Sequence, residues 1–250
     1  MSGTRPNLEH WRTSITLVEQ NRIVYRGVPI EDVIESWSFP ATVWLLIQGT
    51  RPSEDQEDAI RRVLVAACDH GLAAPSIAAA RVVASTRGAP GVAVAAGMAA
   101  FAGPAHGGAA SACAELLVEL AEDARSAGEQ TRARLGRGER LPGFGHPYHA
   151  RDPRVPGLLE APLEPRRYRD LVRTVEAEVI AAKGDRLHMN ADAAVAALLL
   201  DAGLRPRAVD LITTIGRCVG LAAHVEEEET REQPFRAPSL ESIEYIEGER

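Results

Sequence analysis

The amino-acid sequence predicts a mainly α-helical fold, and three observations lead to it. Alanine is abundant and aromatic residues make up only 4% of the 250 residues, a balance that favours closely packed helices over a β-sandwich. From residue 39 onward, apolar residues recur with the period of a helix. Glycine and proline stand between these periodic stretches, where they begin and end helices. We therefore expect about nine helices, with polar chemistry in the loops between them.

The first seventy residues predict a hairpin followed by a capped helix. Short alternating stretches around Asn21 and Gly27 predict strands that turn at those residues. The segment Ser53–Gln56 has the pattern of a capping box and begins a helix whose apolar positions share one face. Gly71 is placed to end this helix.

The rest of the chain reads as helices separated by breakers. Residues 132–140, rich in arginine and glycine, predict a surface turn, and the prolines within 147–165 predict a long loop. The tail after the last helix predicts an irregular or extended segment. Further helices are expected over residues 75–86, 91–102, a stretch opened by Gly107 and Gly108, 166–183, 191–202 and 206–228.

Charge and hydropathy argue against several classes of function. The formal net charge of −7 and the pI near 5.6 predict no surface for nucleic acid or anionic membranes. Residues 88–114 carry no formal charge, but glycine and proline interrupt them and alanine dominates, so no membrane span is expected there. Any anion site must therefore be a local cluster of arginines.

Two features predict a cytoplasmic protein. Residues 1–15 contain no apolar segment of the kind that signal peptides have. Cys68, Cys113 and Cys218 are odd in number and far apart, which is typical of buried, reduced thiols.

Three histidines stand where a ligand could approach. His70 follows Asp69 near the end of a predicted helix, and His106 precedes another in AGPAHGGA. His146 lies in the loop GFGHPYHARDPR, which holds two glycines, two prolines, two histidines and two arginines. A single histidine of this kind is most often a hydrogen-bonded structural residue. The glycines beside His106 and His146 favour a ligand-binding role for these two histidines, because glycine lets a backbone and a ligand approach closely.

One carboxylate and three arginines complete the candidates. Asp192 is the only charged residue of an alanine–leucine helix until Asp201, so burial would raise its pKa towards that of a usable base. Arg217 lies in mid-helix among apolar neighbours and needs an anionic partner. Arg154 and Arg236, taken singly, read as surface or salt-bridge residues. Taken together, the set predicts a site that holds a small polycarboxylate, polarises a carbonyl and moves a proton.

Motifs for metals, phosphates and serine nucleophiles do not accompany these residues. The sequence lacks HExxH and paired CxxC, and His146 and His149 have no helical support as metal ligands. Neither a P-loop, nor the glycine pattern of dinucleotide-binding folds, nor GxSxG occurs. We therefore expect no metal and no tightly bound cofactor.

In their order along the chain, these segments resemble the citrate synthase superfamily. DHGLAAPSIAAARVVAST resembles the segment with the first substrate histidine, GPAHGGA the turn with the catalytic histidine, and PGFGHPYHARDPR the family's PG-F/Y-GH…DPR loop. NADAAVAALL resembles the segment with the catalytic aspartate, and GRCVGLAAHVEEE and RAPS resemble the two later arginine segments. The resemblance runs from about Trp11 to Tyr245, effectively the whole chain.

The resemblance implies a citrate synthase-like multi-helical fold with two domains. The large domain would comprise residues 1–144 and 226–250, and the small domain, with much of the active site, residues 145–225. Because members of the family form dimers, it also implies a homodimer or higher homo-oligomer. In such an assembly Arg236 would reach in from a neighbouring subunit.

The resemblance also implies a role for each candidate residue. His70 and His146 would polarise the keto group of oxaloacetate, with His146 also acting as acid–base at that oxygen. His106 would hydrogen-bond the thioester oxygen of acetyl-CoA, and Asp192 would take a proton from its acetyl group. Two further sets of residues would bind ligands. The carboxylates of the substrate would be bound by Arg154, Arg217 and Arg236. Coenzyme A, as part of a thioester substrate, would be bound by Pro142, Gly143, Phe144 and Gly145.

The implied function is carbon–carbon bond chemistry between a CoA thioester and a 2-oxo acid. The compact length and the opening HWRTSIT…RIVYRGVPIEDVI are more like the stand-alone citryl-CoA lyases, which cleave citryl-CoA to acetyl-CoA and oxaloacetate. Citrate synthase, or a synthase using another acyl-CoA or oxo acid, is the first alternative, and a non-catalytic homologue that binds CoA or a carboxylate is the second. The chain departs from the family pattern at Ala67, Pro147 and Leu221, where histidine, arginine and tryptophan are usual.

Overall fold

The computed structural model describes residues 11–123, 125–185 and 187–247. Most of the N-terminal segment 1–15, in which the sequence predicts no signal peptide, lies outside the described residues. Within these ranges the molecule is mainly α-helical, as predicted, with eleven α-helices and one small sheet. The helices are α1 (Ile30–Ser36), α2 (Phe39–Gln48), α3 (Glu54–Ala67), α4 (Pro75–Ala84), α5 (Pro90–Phe101), α6 (Ala109–Glu122), α7 (Ala127–Gly136), α8 (Val155–Leu159), α9 (Arg167–Lys183), α10 (Ala191–Asp201) and α11 (Pro206–Arg231).

The predicted hairpin is present at the start of the described chain. Strands β1 (Thr16–Glu19), β2 (Arg22–Tyr25) and β3 (Val28–Pro29) form an antiparallel sheet in that order. Asn21 and Gly27 lie in its two turns with φ of 58° and 89°, the left-handed region that asparagine and glycine tolerate best.

Two predicted boundaries were wrong, those of the turn over 132–140 and of the end of α3. The turn predicted over residues 132–140 begins only after Gly136. Helix α7 starts at a second capping box, in which Ser126 and Glu129 bond each other's backbone N–H, and continues to Gly136. The segment 147–165 is largely loop, as predicted, and contains the short helix α8. Helix α3 ends at Ala67, four residues before Gly71, which adopts φ 90° in the following turn.

Helix α10 forms the centre of the molecule. Every residue of it is buried except Asp192, which is half-buried, and the helix packs against α3, α6, α8, α9 and α11. A helix that is apolar on all sides is stable only inside a protein, so the alanine–leucine composition itself places α10 in the core. Its one exception, Asp192, lies in the first turn.

Helix α11 crosses α3, α4, α5 and α6, and two glycines set how closely it lies against α3. A Cβ at Gly216 would lie 2.8 Å from the Leu64 carbonyl oxygen, and one at Gly220 would lie 2.0 Å from that of Cys68. Only glycine allows this approach. This close packing of α11 on α3 brings Arg217, which lies between the two glycines, to the turn that follows α3.

Leu221, where the family usually has tryptophan, fills a small second core. It is fully buried and packs with α4 and α5, and a Cβ at Gly97 would lie 2.6 Å from its Cδ2. The smaller side chain at 221 therefore fits the close approach of α5.

Among the helices of the described ranges, α11 is long and apolar enough to cross a membrane, with a window of mean hydropathy 1.3. Half of that window is buried inside the molecule, as expected of a core helix.

The predicted division into domains at 145 and 225 stays a prediction. The main buried cluster joins side chains from both sides of residue 145, and residue 225 lies within α11.

Replacing Gly220 with alanine tests the close contact of α11 with the end of α3. We expect Gly220→Ala to lower the free energy of unfolding by about 1–3 kcal/mol or more, because the new Cβ would overlap a backbone oxygen that cannot rotate away. Gly91→Ala in α5 is the matched control, since its Cβ would meet nothing within 4 Å. Denaturant unfolding of both variants measures the difference, and equal stabilities would contradict the close contact.

Candidate active site

A cavity of about 800 Å³ lies between the turn after α3, the end of α5, the loop before α8, the start of α10 and the middle of α11. It collects most of the predicted site residues into one place. Gly145 and Arg236 do not line it. The predicted residues that do are His70, His106, His146, Arg154, Asp192, Arg217, Pro142, Gly143 and Phe144.

His70 and Arg217 form one side of the cavity. The guanidinium Nη1 of Arg217 lies 2.5 Å from His70 Nδ1, and because a guanidinium can only donate, the imidazole accepts there and carries its proton on Nε2. Burial, together with the charge of Arg217, lowers the pKa of His70 to about 4, so this histidine is neutral at pH 7.

Arg217 is held as a cation in an unusually dry position. Burial lowers its pKa to about 10, which still leaves it charged at neutral pH. Its guanidinium carbon lies 5.2 Å from the centre of the Phe101 ring, within cation–π distance. Among the residues that the structure describes, its buried Nε has no hydrogen-bond partner. A buried donor of this kind favours an anionic ligand.

His106 stands opposite His70, with ring centres 5.1 Å apart. Its Nε2 lies 2.9 Å from the hydroxyl of Ser76, a fully buried residue of α4, and the Phe101 ring meets it edge-on at 5.0 Å. Burial, and then the charge of Arg217, lower the pKa of His106. A neutral imidazole fixed by a serine can donate one hydrogen bond without adding a charge to the site.

The turn after His146 determines which nitrogen of its ring carries the proton. The backbone N–H groups of Tyr148 and His149 both donate to His146 Nδ1, at 3.1 Å each. The proton of the neutral ring therefore resides on Nε2, which makes that atom a donor. Pro147 suits this turn because its φ is fixed and it has no N–H of its own. The departure from the family pattern at Pro147 thus has a local structural role.

Asp152 joins the arginine of the loop to the start of α10. Its buried carboxylate accepts bonds from the backbone N–H of Arg154 and from both Nε and Nη2 of that side chain, at 2.7–3.0 Å. It also accepts the N–H of Ala191, in the first turn of α10, at 2.9 Å. Arg154 and Asp192 are thereby held in a fixed relation. The pKa of Asp152 falls to about 2, the bonds to Arg154 outweighing its burial.

Asp192 has the properties of a base in a dry site. Asn190 caps α10 by accepting the backbone N–H groups of Asp192 and Ala193. Burial raises the pKa of the Asp192 carboxyl to about 6; Arg154 opposes this rise, and the charge of Asp152 adds to it. Such a carboxyl can both take and give a proton near neutral pH.

The two glycines of the segment 142–145 are required by the local backbone and by its packing. Gly143 and Gly145 adopt φ of 85° and 88°. A Cβ at Gly143 would lie 2.7 Å from the Ala193 Cβ and 2.9 Å from the Cys113 sulfur, so this glycine lets the segment lie on α10. The sequence-based explanation, that these glycines admit coenzyme A, stays a prediction.

Arg236 lies elsewhere in this chain. Its Nε and Nη2 bind both carboxylate oxygens of the buried Glu228, at 2.9 and 3.0 Å, and Glu228 also binds Arg81 of α4. Within a single chain Arg236 therefore belongs to an ion cluster and not to the cavity.

Two residues important to the geometry were missed from the sequence. Ser76 sits inside an alanine-rich helix and reads there as a small core residue, and Asp152 reads as the start of a turn before Pro153. The spacing of Asp152 and Arg154 within one loop was the only sign in the sequence that these two side chains pair.

In the described ranges, no group of three or more His, Cys, Asp or Glu side chains is placed to hold a metal ion.

Asp192→Asn should stabilise the protein at neutral pH. The folded chain holds the proton of this carboxyl more tightly than an unfolded chain, with a pKa of about 6 against 3.8, so its contribution to stability falls as the pH rises through that window. Asparagine carries no charge to bury. We expect the variant to be more stable than the wild type by about 1–3 kcal/mol at pH 8, and the gain to shrink towards pH 4.

Denaturant unfolding at pH 8 and pH 4.5 measures this difference. Glu122→Gln, at an exposed carboxylate of α6, controls for the loss of a negative charge and should show no such dependence. An Asp192→Asn variant that is no more stable than the wild type at pH 8 would contradict the buried-base geometry.

Comparison with known proteins shows the family of this chain. Residues 6–60 and 48–238 match the family model described as citrate synthase, C-terminal domain. The structure of citryl-CoA lyase from Hydrogenobacter thermophilus is 33% identical, superposes with a TM-score of 0.88 and is covered over 96% of both chains. Citrate synthase of Heyndrickxia coagulans is 30% identical over 86% of this chain, and 2-methylcitrate synthase of Mycobacterium tuberculosis is 31% identical over 73%.

The chain spans 58% and 47% of the lengths of these two synthases, but the match to the lyase structure covers nearly the whole of both chains. The mainly helical citrate synthase-like fold predicted from the sequence is thus confirmed. The family match covers far more than half of the chain. The protein belongs to the citrate synthase family.

Proposed function

We propose that this protein is an enzyme that cleaves citryl-CoA to acetyl-CoA and oxaloacetate. The observation that carries the proposal is the cavity itself, in which a carboxyl with a pKa of about 6 lies with neutral histidines and two arginines. The match to a citryl-CoA lyase over 96% of both chains supports the direction of the reaction.

The arginines would hold the carboxylates of the substrate. Arg154 is oriented by Asp152, and Arg217 is buried beside His70, so both cations are fixed before a ligand arrives. A bound dicarboxylate would then gain charge-assisted bonds without the cost of ordering these side chains. The Nε2–H groups of His70 and His146 would donate to the oxygen at the carbon that becomes the keto carbon.

Carbon–carbon cleavage needs an acceptor for electrons and a donor of a proton. The citryl hydroxyl would lose its proton to solvent, from which Asp192 would later regain the one that it gives up. As the bond between the two carbons breaks, its electron pair would pass into the thioester and give an enolate. His106 would stabilise the enolate oxygen by a hydrogen bond. Asp192, in its protonated form, would deliver a proton to the enolate carbon and produce the methyl group of acetyl-CoA. Loss of either group should cost about 10²–10⁴-fold in rate.

Synthesis is the alternative, because the same residues catalyse the reaction in both directions. In condensation Asp192 would remove a proton from the methyl group of acetyl-CoA, a step that a solvated carboxylate performs poorly at pH 7. The similarity to a citrate synthase and a 2-methylcitrate synthase supports this alternative, with acetyl-CoA or a longer acyl-CoA as substrate. A non-catalytic homologue is disfavoured, since His106, His146 and Asp192 are all in place.

Cellular location and assembly belong to the same proposal. We place the protein in the cytoplasm, with CoA present only as part of a substrate and with no tightly bound cofactor. We also propose a homodimer or higher homo-oligomer in which Arg236 of one subunit serves the cavity of another. Exposed apolar side chains of the C-terminal tail, including Phe235, Leu240 and Tyr245, support such an assembly.

Two separate incubations distinguish the candidate activities, one with citryl-CoA and one with acetyl-CoA plus oxaloacetate. We expect incubation with citryl-CoA to release acetyl-CoA and oxaloacetate, with no free CoA, since a lyase does not hydrolyse the thioester. Free CoA from acetyl-CoA plus oxaloacetate would instead indicate a complete synthase. Asp192→Asn should lower either rate by about 10²-fold or more, and Glu122→Gln should leave it unchanged. Absence of turnover in both mixtures would contradict the proposal.

A further inference from the structure

A buried histidine lies outside the cavity and takes no part in the chemistry above. His188 is 7% exposed and stands between two carboxylates. Its Nδ1 lies 3.3 Å from Oε1 of Glu176, and its Nε2 lies 2.8 Å from Oδ1 of Asp185. The same Oε1 of Glu176 accepts the backbone N–H of Met189 at 2.9 Å. Helix α9, through Glu176, is thus bonded to the backbone and the side chain of the segment that precedes α10.

This segment, residues 188–190, forms a short antiparallel pair with residues 143–145. The N–H of Gly145 donates to the His188 carbonyl at 2.8 Å, and the N–H of Asn190 donates to the Gly143 carbonyl at 2.9 Å. Phe144 and Met189 are paired between them, and the Asn190 side chain donates to the Gly145 carbonyl at 2.9 Å. The position of 143–145 is therefore set by the position of 188–190.

Glu176 is the stronger of the two anchors on His188. It projects from the 17-residue helix α9, which packs against α6, α7 and α10. Asp185, in contrast, is 73% exposed, and besides His188 it pairs with the similarly exposed Arg151 at 3.5 Å. Exposed ion pairs contribute little, so Asp185 adds less to the hold on the segment.

We propose that Glu176 and His188 are positioning residues for the thioester substrate. Acting through 188–190, they hold the segment 143–145 at the cavity and so set the affinity for CoA without touching it. The inference rests on the proposed function and on the prediction, made from the family resemblance, that residues 142–145 bind CoA. Asp192 is affected less, because the carboxylate of Asp152 bonds the N–H of Ala191 in the first turn of α10 and the rest of that helix is buried in the core. The effect should therefore fall on binding of the thioester and not on the chemical step.

Substitutions on α9 test this role. We expect Glu176→Ala to raise the KM for citryl-CoA and the Kd for free CoA about tenfold, the loss of a buried bond to a charged group. Its kcat should stay within about threefold, and the Kd for oxaloacetate should not change. Glu176→Gln should recover most of the affinity, because its amide oxygen can still accept from Met189. Glu178→Ala, two residues along α9 and paired with Arg132, is the matched control and should bind CoA as the wild type does.

Calorimetry with free CoA and thermal unfolding of each variant accompany the kinetics. If Glu176→Ala does not fold, His188→Ala and Glu176→Gln carry the test, with a higher Kd for CoA expected in the first and near-normal binding in the second. Unchanged CoA affinity in Glu176→Ala or His188→Ala, or a fall in kcat without a rise in KM, would overturn the inference. A wild-type protein that binds no CoA would overturn the proposed function as well.

Discussion

The burial of one carboxyl at the start of an otherwise largely apolar helix is the constraint on which the site depends. Helix α10 must occupy the core because it has no polar face, and its first turn therefore carries Asp192 into a region with little water. The carboxyl cannot escape to solvent without withdrawing the helix from the core. Burial raises its pKa to about 6, so the requirement of the fold and the requirement for a usable base are met by the same placement.

Other parts of the molecule bring partners to that carboxyl. Glycines 216 and 220 allow α11 to lie against the end of α3, which sets Arg217 beside His70. The carboxylate of Asp152 fixes Arg154 and the start of α10 together. The resulting cavity contains fixed cations and neutral imidazoles in a chain whose net charge is −7. The candidate catalytic groups are thus ordered without a ligand, which is the condition for electrostatic stabilisation of a transition state.

Much of this arrangement could be predicted from the sequence, and the failures have physical reasons. Periodicity and breakers identified seven of the helices, and ordered motifs identified the cavity residues. Helix α7 was missed because its sequence is polar and carries arginine and glycine, so that its capping box was the only sign of it. The partners of His106 and Arg154 were missed because Ser76 and Asp152 act through contacts that the fold alone creates. Arg236 lies on Glu228 within one chain, which no sequence pattern reveals.

A direct titration of the Asp192 carboxyl tests the central claim most closely. Carbon-13 NMR of protein labelled at aspartate, compared with Asp192→Asn to assign the resonance, gives the pKa of this one group in the ligand-free protein. A pKa near 6 is the result that burial at the start of α10 predicts. A pKa near 3.8, the ordinary value, would mean that water reaches the carboxyl freely and that the cavity does not provide the base proposed for it.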